Sequence, residues 1–300
     1  MHSKVFLSAI AFVKFLLICL VLINCQNTHL YSQEDKLISS KKLIKDFDYL
    51  KEIVDAHPDP YTHISEKDFN AKFDSLKATL DKPHSVLEFY KKAAFLIALI
   101  RDGHSSVRFP YSWLETQRKK IGAFPYKIHL TNENELYIIE SFNGNKKLVG
   151  AKILTINGIG VDSFLNKINP YISYELIPFR NTVISRSFEA YLYIAFGHAN
   201  NTKIEYSTGE TSFVEVKNMP YKEWKKFQRK HKEEREAKIG IGEPYAYKKI
   251  GDGVGLINIY AFRVRSVEDY KLFLHTTFKK IRKDSVHSLI IDVRGNFGGW

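Results

Sequence analysis

Three stretches of this 300-residue chain carry residue types suited to chemistry. The first is Asp102-Gly103-His104-Ser105. Histidine titrates near neutral pH, which makes His104 a natural general base, and a helix break just before it lets the ring project into a cleft. The competing reading is a capping or core-edge histidine. The second stretch is Asp292-Val293-Arg294-Gly295-Asn296-Phe297-Gly298-Gly299, where an apolar strand runs into a glycine-rich turn. Ligands meet α/β sheets beyond the carboxyl ends of strands, and glycine lets the backbone approach them. Amides of Gly298 and Gly299 could therefore donate to an oxyanion, at about 2.7–4 kcal/mol for one such donor. An ordinary strand-to-helix turn, with Asp292 and Arg294 pairing locally, fits the same residues. A phosphate loop fits poorly, because no Lys-Ser/Thr follows. The third set is His57, His63 and His104. Zinc needs three or four convergent ligands, and the two prolines between His57 and His63 keep those two off one helical face. The reading is therefore no metal and no cofactor, with His57-Pro58 shaping a loop.

Composition narrows the setting. The only cysteines are Cys19 and Cys25, so the body of the chain has no disulfide framework, cysteine-ligated metal or cysteine nucleophile. Residues 1–26 read as an export leader, with Lys4 and Lys14 before the apolar run Phe15 to Ile23. Two variants stay open. If Lys14 snorkels, Val5 to Ile23 forms an uncleaved membrane anchor. Leu22-Ile23-Asn24-Cys25 also loosely resembles a bacterial lipobox, which would lipidate Cys25, although Asn24 departs from the usual small residue. A cysteine-free body suits an oxidising compartment, and the expected location is the bacterial cell envelope or the exterior. The net charge of +12 permits acidic partners without identifying one. The stretch 221–238 holds eight Lys/Arg and four Glu; it reads as a solvated helix or linker, the competing reading being a polyanion or membrane-surface patch that the four glutamates would blunt. No nucleic-acid motif accompanies it, so nucleic acid is not an expected partner.

The elements that must position these residues follow from periodicity. Between 35 and 101 the pattern predicts three amphipathic helices, with faces Leu43/Phe47/Leu50/Val54, Phe69/Phe73/Leu76/Leu80 and Phe89/Ala93/Leu96/Ile100. Ser65 with Asp68 and Ser85 with Glu88 form capping-box pairs at the second and third starts. Asp102-Gly103 ends the third helix, and Ser106 to Phe109 reads as a short strand. From 118 to 217 the pattern turns β-rich. Strands are expected at Phe124–Leu130, Leu136–Ile139, Ile153–Ile156, Ile204–Tyr206 and Phe213–Val216, helices at 162–168 and 186–196, and a tight turn at Asn157-Gly158. A strand from Val254 to Tyr260, a helix capped by Ser266 and Asp269, and a strand from Ser288 to Val293 predict a parallel, right-handed crossover.

In this order the motifs resemble the tail-specific, or C-terminal-processing, serine proteases, in the branch that includes tricorn-like enzymes. The residues carrying the resemblance are His57-Pro58-Asp59-Pro60-Tyr61, then Asp102-Gly103-His104-Ser105, then Val149 to Gly158 (VGAKILTING), then Leu289 to Gly299. The resemblance spans about 35 to 300. It implies an α/β, overall α+β, protein. The leader would occupy 1–26, a helical region 27–117, a PDZ-like module 118–218 and the start of a crotonase- or Clp-protease-like catalytic domain 219–300. It implies an exported serine-type endopeptidase that works through an acyl-enzyme on polypeptide substrates. The PDZ-like module would take their C-terminal tails by strand addition, through Gly150, Ile153 and Asn157. His104 would be the base and Gly298 and Gly299 the oxyanion loop, positioned by Asp292, Arg294 and Asn296, with Asp102 supporting the site. The family's nucleophilic serine lies well after the Gly-Gly pair, which implies a longer protein than these 300 residues. Gly103 also stands where tricorn-like enzymes have a serine. A PDZ-like protein that binds tails without cleaving them is the other function consistent with these residues.

Overall fold

The structure is a computed structural model and describes residues 37–239, 244–262, 266–294, 296 and 298. The leader with Cys25, and Gly299, lie outside the described residues. The fold is mixed α+β, and it divides into one compact unit ending at Asn218 and another beginning at Met219.

The first unit opens with helices α1 (Ser40–Asp55), α2 (Glu66–Ala78) and α3 (Val86–Ala98). Local chemistry starts two of them. Ser65 Oγ accepts the Asp68 amide, and the Ser85/Glu88 capping box is complete in both directions. Leu43, Phe47, Val54, Phe69, Phe73, Leu80, Leu96 and Ile100 close one core between the three helices. Helix α3 is apolar on two sides because it serves two cores. Ala93, Leu96 and Ile97 face the helical core, whereas Tyr90 and Ala94, one turn apart on another face, join the core beneath the sheet.

Helix α4 (Tyr111–Ile121) leads into the sheet and carries residue 118 within it. Strand β1 (Tyr126–Leu130) pairs antiparallel with β2 (Leu136–Ser141), β2 with β3 (Lys152–Ile156), β3 with β5 (Thr202–Ser207), and β5 with β6 (Thr211–Val216). The short β4 (Ile159–Gly160) folds back on β3. Alternate residues of β1 are buried, as strand geometry requires of a half-covered sheet. Asn157 (φ 50°) and Gly158 (φ 81°) both take left-handed conformations, the geometry of a two-residue primed hairpin turn. Helices α5 (Val161–Ile168), α6 (Ile177–Arg186) and α7 (Phe188–Phe196) lie between β4 and β5 in the chain. Ser106–Phe109, expected as a strand, belongs to no ladder. Phe109 instead packs its ring against Tyr90, Tyr111 and Trp113, so aromatic packing takes the place of strand pairing.

The second unit contains α8 (Tyr221–Ile239), β7 (Tyr245–Gly251), β8 (Val254–Ile259), α9 (Val267–Lys283) and β9 (Ser288–Asp292). The basic stretch is helical, with Lys222, Glu223, Lys226 and Arg229 exposed. Ser266 Oγ caps α9 by accepting the Asp269 amide at 3.0 Å. The sheet order is β7-β8-β9; β7 and β8 are antiparallel, and β8 and β9 are parallel across α9. Leu289, Ile290 and Ile291 of the edge strand β9 are exposed.

Candidate functional site

The turn that follows α3 gathers the chemistry of the first unit around one carboxylate. Arg101 adopts φ 59°, a left-handed conformation rare outside glycine, and so swings the chain out of the helix. Asp102 then accepts three groups and lies close to a fourth. Its Oδ2 takes the Ser105 hydroxyl at 2.6 Å and faces His57 Nε2 at 3.2 Å. Its Oδ1 takes the His104 amide at 2.9 Å and lies 3.6 Å from the His104 ring Nδ1. These contacts hold Asp102 well below the usual carboxylate range, the Ser105 hydroxyl first and the His104 amide next. The turn is also stitched to a distant loop. The Asp102 carbonyl accepts the Ser173 hydroxyl at 2.8 Å, and the Gly103 amide reaches Glu175 at 3.3 Å. A side chain at Gly103 would press on the Phe179 ring, 3.3 Å from an added Cβ.

The two imidazoles at this carboxylate differ. His57 Nδ1 accepts the Asp59 amide at 3.1 Å, so the neutral ring carries its proton on Nε2 and donates it to Asp102. Both of its nitrogens are engaged. The His104 ring is fully exposed, with Nδ1 turned to the carboxylate and Nε2 open to solvent. A carboxylate on the Nδ1 side and a free Nε2 is the arrangement a general base needs. Ser105 is no nucleophile in this geometry, because its hydroxyl points at Asp102 instead of an imidazole. His57, which the sequence marks only as a loop former, belongs to the site. The signal that could have found it is the adjacent turn residue Asp59, whose amide takes one ring nitrogen and frees the other for a distant partner.

The residues assigned to tail binding sit elsewhere in this unit. Ile153 is 1% exposed in β3, with strands paired on both sides, and offers a ligand no surface. Gly150 (φ 93°) donates its amide to Ile138 O in a turn. Asn157 ties the hairpin turn to β5, accepting the Lys203 amide on Oδ1 and donating its own amide to Lys203 O. All three hold the sheet together. Among the described residues, β1 and β6 are the outermost strands of the sheet. Helix α6 covers the end of β1, where Ser185 Oγ accepts the Leu130 amide at 2.9 Å and Asn181 Nδ2 donates to Thr131 O. β6 carries the exposed Phe213.

In the second unit, Asp292 ends β9 and takes a two-pronged contact from Arg294, Nε to Oδ1 at 2.9 Å and Nη2 to Oδ2 at 2.7 Å. That pairing, with the Arg294 amide on Oδ1, lowers the Asp292 carboxyl to about 2. Asn296 locks the turn: its Nδ2 donates to Ile259 O at the end of β8, and its Oδ1 accepts the Gly298 amide at 2.8 Å. Gly298 (φ 92°) thus spends its amide inside the turn in this structure, and an oxyanion would have to compete with Asn296 for it. Among the described residues, no group of three His, Cys, Asp or Glu side chains is placed to hold a metal ion. No family model matches the chain, and no curated protein matches it.

Proposed function

We propose that this chain belongs to an exported serine-type peptidase of the tail-specific class, in which His104 is the general base, Asp102 orients it and His57 positions Asp102. One observation carries the reading: of the two imidazoles at Asp102, one has both nitrogens engaged and the other presents Nε2 to solvent. The parallel β8–α9–β9 unit running into the Asn296–Gly298 turn supports it as the start of a catalytic α/β domain. The antiparallel sheet from β1 to β6 is read as the PDZ-like module, with polypeptides as substrates and no part for nucleic acid. In this reading the acyl-enzyme serine is supplied outside the 102–106 turn. A fluorophosphonate probe applied to the protein from its own gene tests this. Labelling that disappears in folded His104→Ala is the expected result; absence of labelling in the native protein overturns it.

The second reading is capture of polypeptide tails without cleavage. It is favoured by the direction of the Ser105 hydroxyl, which leaves the turn without an activated nucleophile. With β1 covered at Leu130, the β6 edge is then the strand that accepts the tail. Peptide affinity that is lost on amidation of the terminal carboxylate, with no turnover, would select this reading over the first.

A further inference from the structure

Next to the Asp102 turn, and within the first unit, lies a cavity of about 180 Å³ that neither reading uses. Pockets for drug-sized ligands are about 300–1,000 Å³, so this one admits a single ring with a short stem. Its walls include Phe109, Ile172 and Phe179. Two further wall residues, Tyr90 and Tyr191, are 8% and 5% exposed. Among the described residues, neither phenol makes a hydrogen bond, and neither hydroxyl is among the sealed, unpartnered side-chain atoms, so both O–H groups stay open to donate to a ligand acceptor. Burial pushes both phenols far up, with Tyr111 adding to the effect, so both stay neutral O–H donors. Among the described residues of the lining, Arg108 is the one cation and there is no acid. Arg108 has no ion-pair partner among the described residues.

We propose that this cavity binds a carboxylate carried on a single aromatic ring, with Tyr90 and Tyr191 donating to the carboxylate, Arg108 supplying the opposite charge, and Phe109, Ile172 and Phe179 enclosing the ring. Two phenolic donors and one guanidinium suit one negative charge with two acceptor oxygens. The same chemistry exists in a free aryl-alkyl acid and in an aromatic residue at the carboxyl end of a polypeptide. The inference does not depend on peptide hydrolysis and holds or fails separately from it.

Calorimetric titration of the full chain tests it with four probes: 3-phenylpropionate, its neutral amide, the peptide Ala-Ala-Phe with a free carboxylate, and inorganic phosphate. The expected result is binding of the acid or the free peptide, with the amide at least about tenfold weaker. Tyr191→Phe keeps the ring and removes the hydroxyl, and it should weaken binding several-fold. Arg108→Gln, at an exposed position, should weaken it by about tenfold while the urea midpoint stays fixed. Tighter binding of the peptide than of the small acid assigns the site to chain termini; the reverse assigns it to a free acid. The proposal is overturned if neither acid nor peptide binds at about 10 mM, if the amide binds as tightly as an acid that does bind, if phosphate binds as well as the better of acid and peptide, or if both variants bind like the native chain.

Discussion

His57 Nε2 and Asp102 Oδ2, 45 positions apart in the chain, lie 3.2 Å from each other, and the His57 ring can donate there because its Nδ1 already accepts the Asp59 amide. The loop His57-Pro58-Asp59 therefore does two things at once. It ends α1 and it sets the tautomer of the ring that holds Asp102.

The two histidines should separate cleanly by mutation. His104→Ala removes a fully exposed ring, so unfolding free energy should stay within about 0.5 kcal/mol of native. Probe labelling should nevertheless be abolished. His57→Ala should cost about 1–3 kcal/mol, because Asp102 and the Asp59 amide each lose a partner. It should slow labelling without abolishing it. Urea unfolding and labelling rates, measured on both variants, check the pair. Equal stability losses would show that His104 is structural.

The acid limb of stability should follow Asp102. Its carboxyl is held below the ordinary value of about 3.9, so the folded state binds this proton later than the unfolded chain does. The stabilisation is then fully present above about pH 4 and is lost as pH falls further. Asp102→Asn should therefore be less stable than native at pH 7, with the gap narrowing below about pH 4. Ser105→Ala deletes the largest contributor and should shift the native acid transition to higher pH. Denaturant unfolding followed from about pH 2.5 to about pH 7, a span that brackets the ordinary carboxylate range, reads both.

Much of this fold is legible because its signals are local. Ser65 with Asp68, Ser85 with Glu88, and Ser266 with Asp269 are three residues apart, and each pair finds its partner within one helical turn. Asn157-Gly158 makes its turn through a local backbone preference, both residues being left-handed. The hidden parts depend on distance. Helix α6 has Pro178 in its first turn and buries the polar Arg180 and Asn181, whose partners Asn134 and Thr131 lie in the β1–β2 loop. That contact has no local periodic signature. Strand β7 buries Tyr245 and little else along its length, so it lacks a strand's alternation. At the candidate site, His104 and Asp102 are visible as types in a turn. The roles of His57, Ser173 and Glu175 there come from tertiary approach across 45 to 72 residues.

The turn at residues 157–158 yields a backbone prediction. Gly158 sits at φ 81° with open space where a Cβ would go, so Gly158→Ala meets conformational strain and no clash. The left-handed conformation costs a non-glycine residue about 1–2 kcal/mol. The variant should lose about that much stability while keeping the same denaturant slope, since the fold and its buried surface stay unchanged. A changed slope would mean that the hairpin rearranges.

The buried pair of Arg118 and Glu189 should give the largest stability effect outside the apolar core. Arg118 Nε and Nη2 both donate to Glu189 Oε2, at 3.0 and 2.7 Å, and the Phe124 amide reaches Oε1 at 3.3 Å. The two side chains are 15% and 10% exposed. Burial pushes the Glu189 carboxyl up, and Arg118 opposes that push. Arg118→Ala leaves a buried carboxylate without its counter-charge, which should cost about 3–5 kcal/mol at pH 7. The sign with pH is opposite to that of Asp102. A carboxyl whose folded value lies above its unfolded value contributes most when protonated, and that contribution is lost as pH rises through the folded value. The deficit of Arg118→Ala should therefore shrink as pH falls from 7 towards the ordinary glutamate range of about 4.3, because the folded chain can then take up the proton that replaces the lost guanidinium. Glu189→Gln in the same background removes the titrating group, so the double variant should show no such recovery. A deficit in Arg118→Ala that stays constant with pH would mean that solvent reaches Glu189 once the arginine is gone.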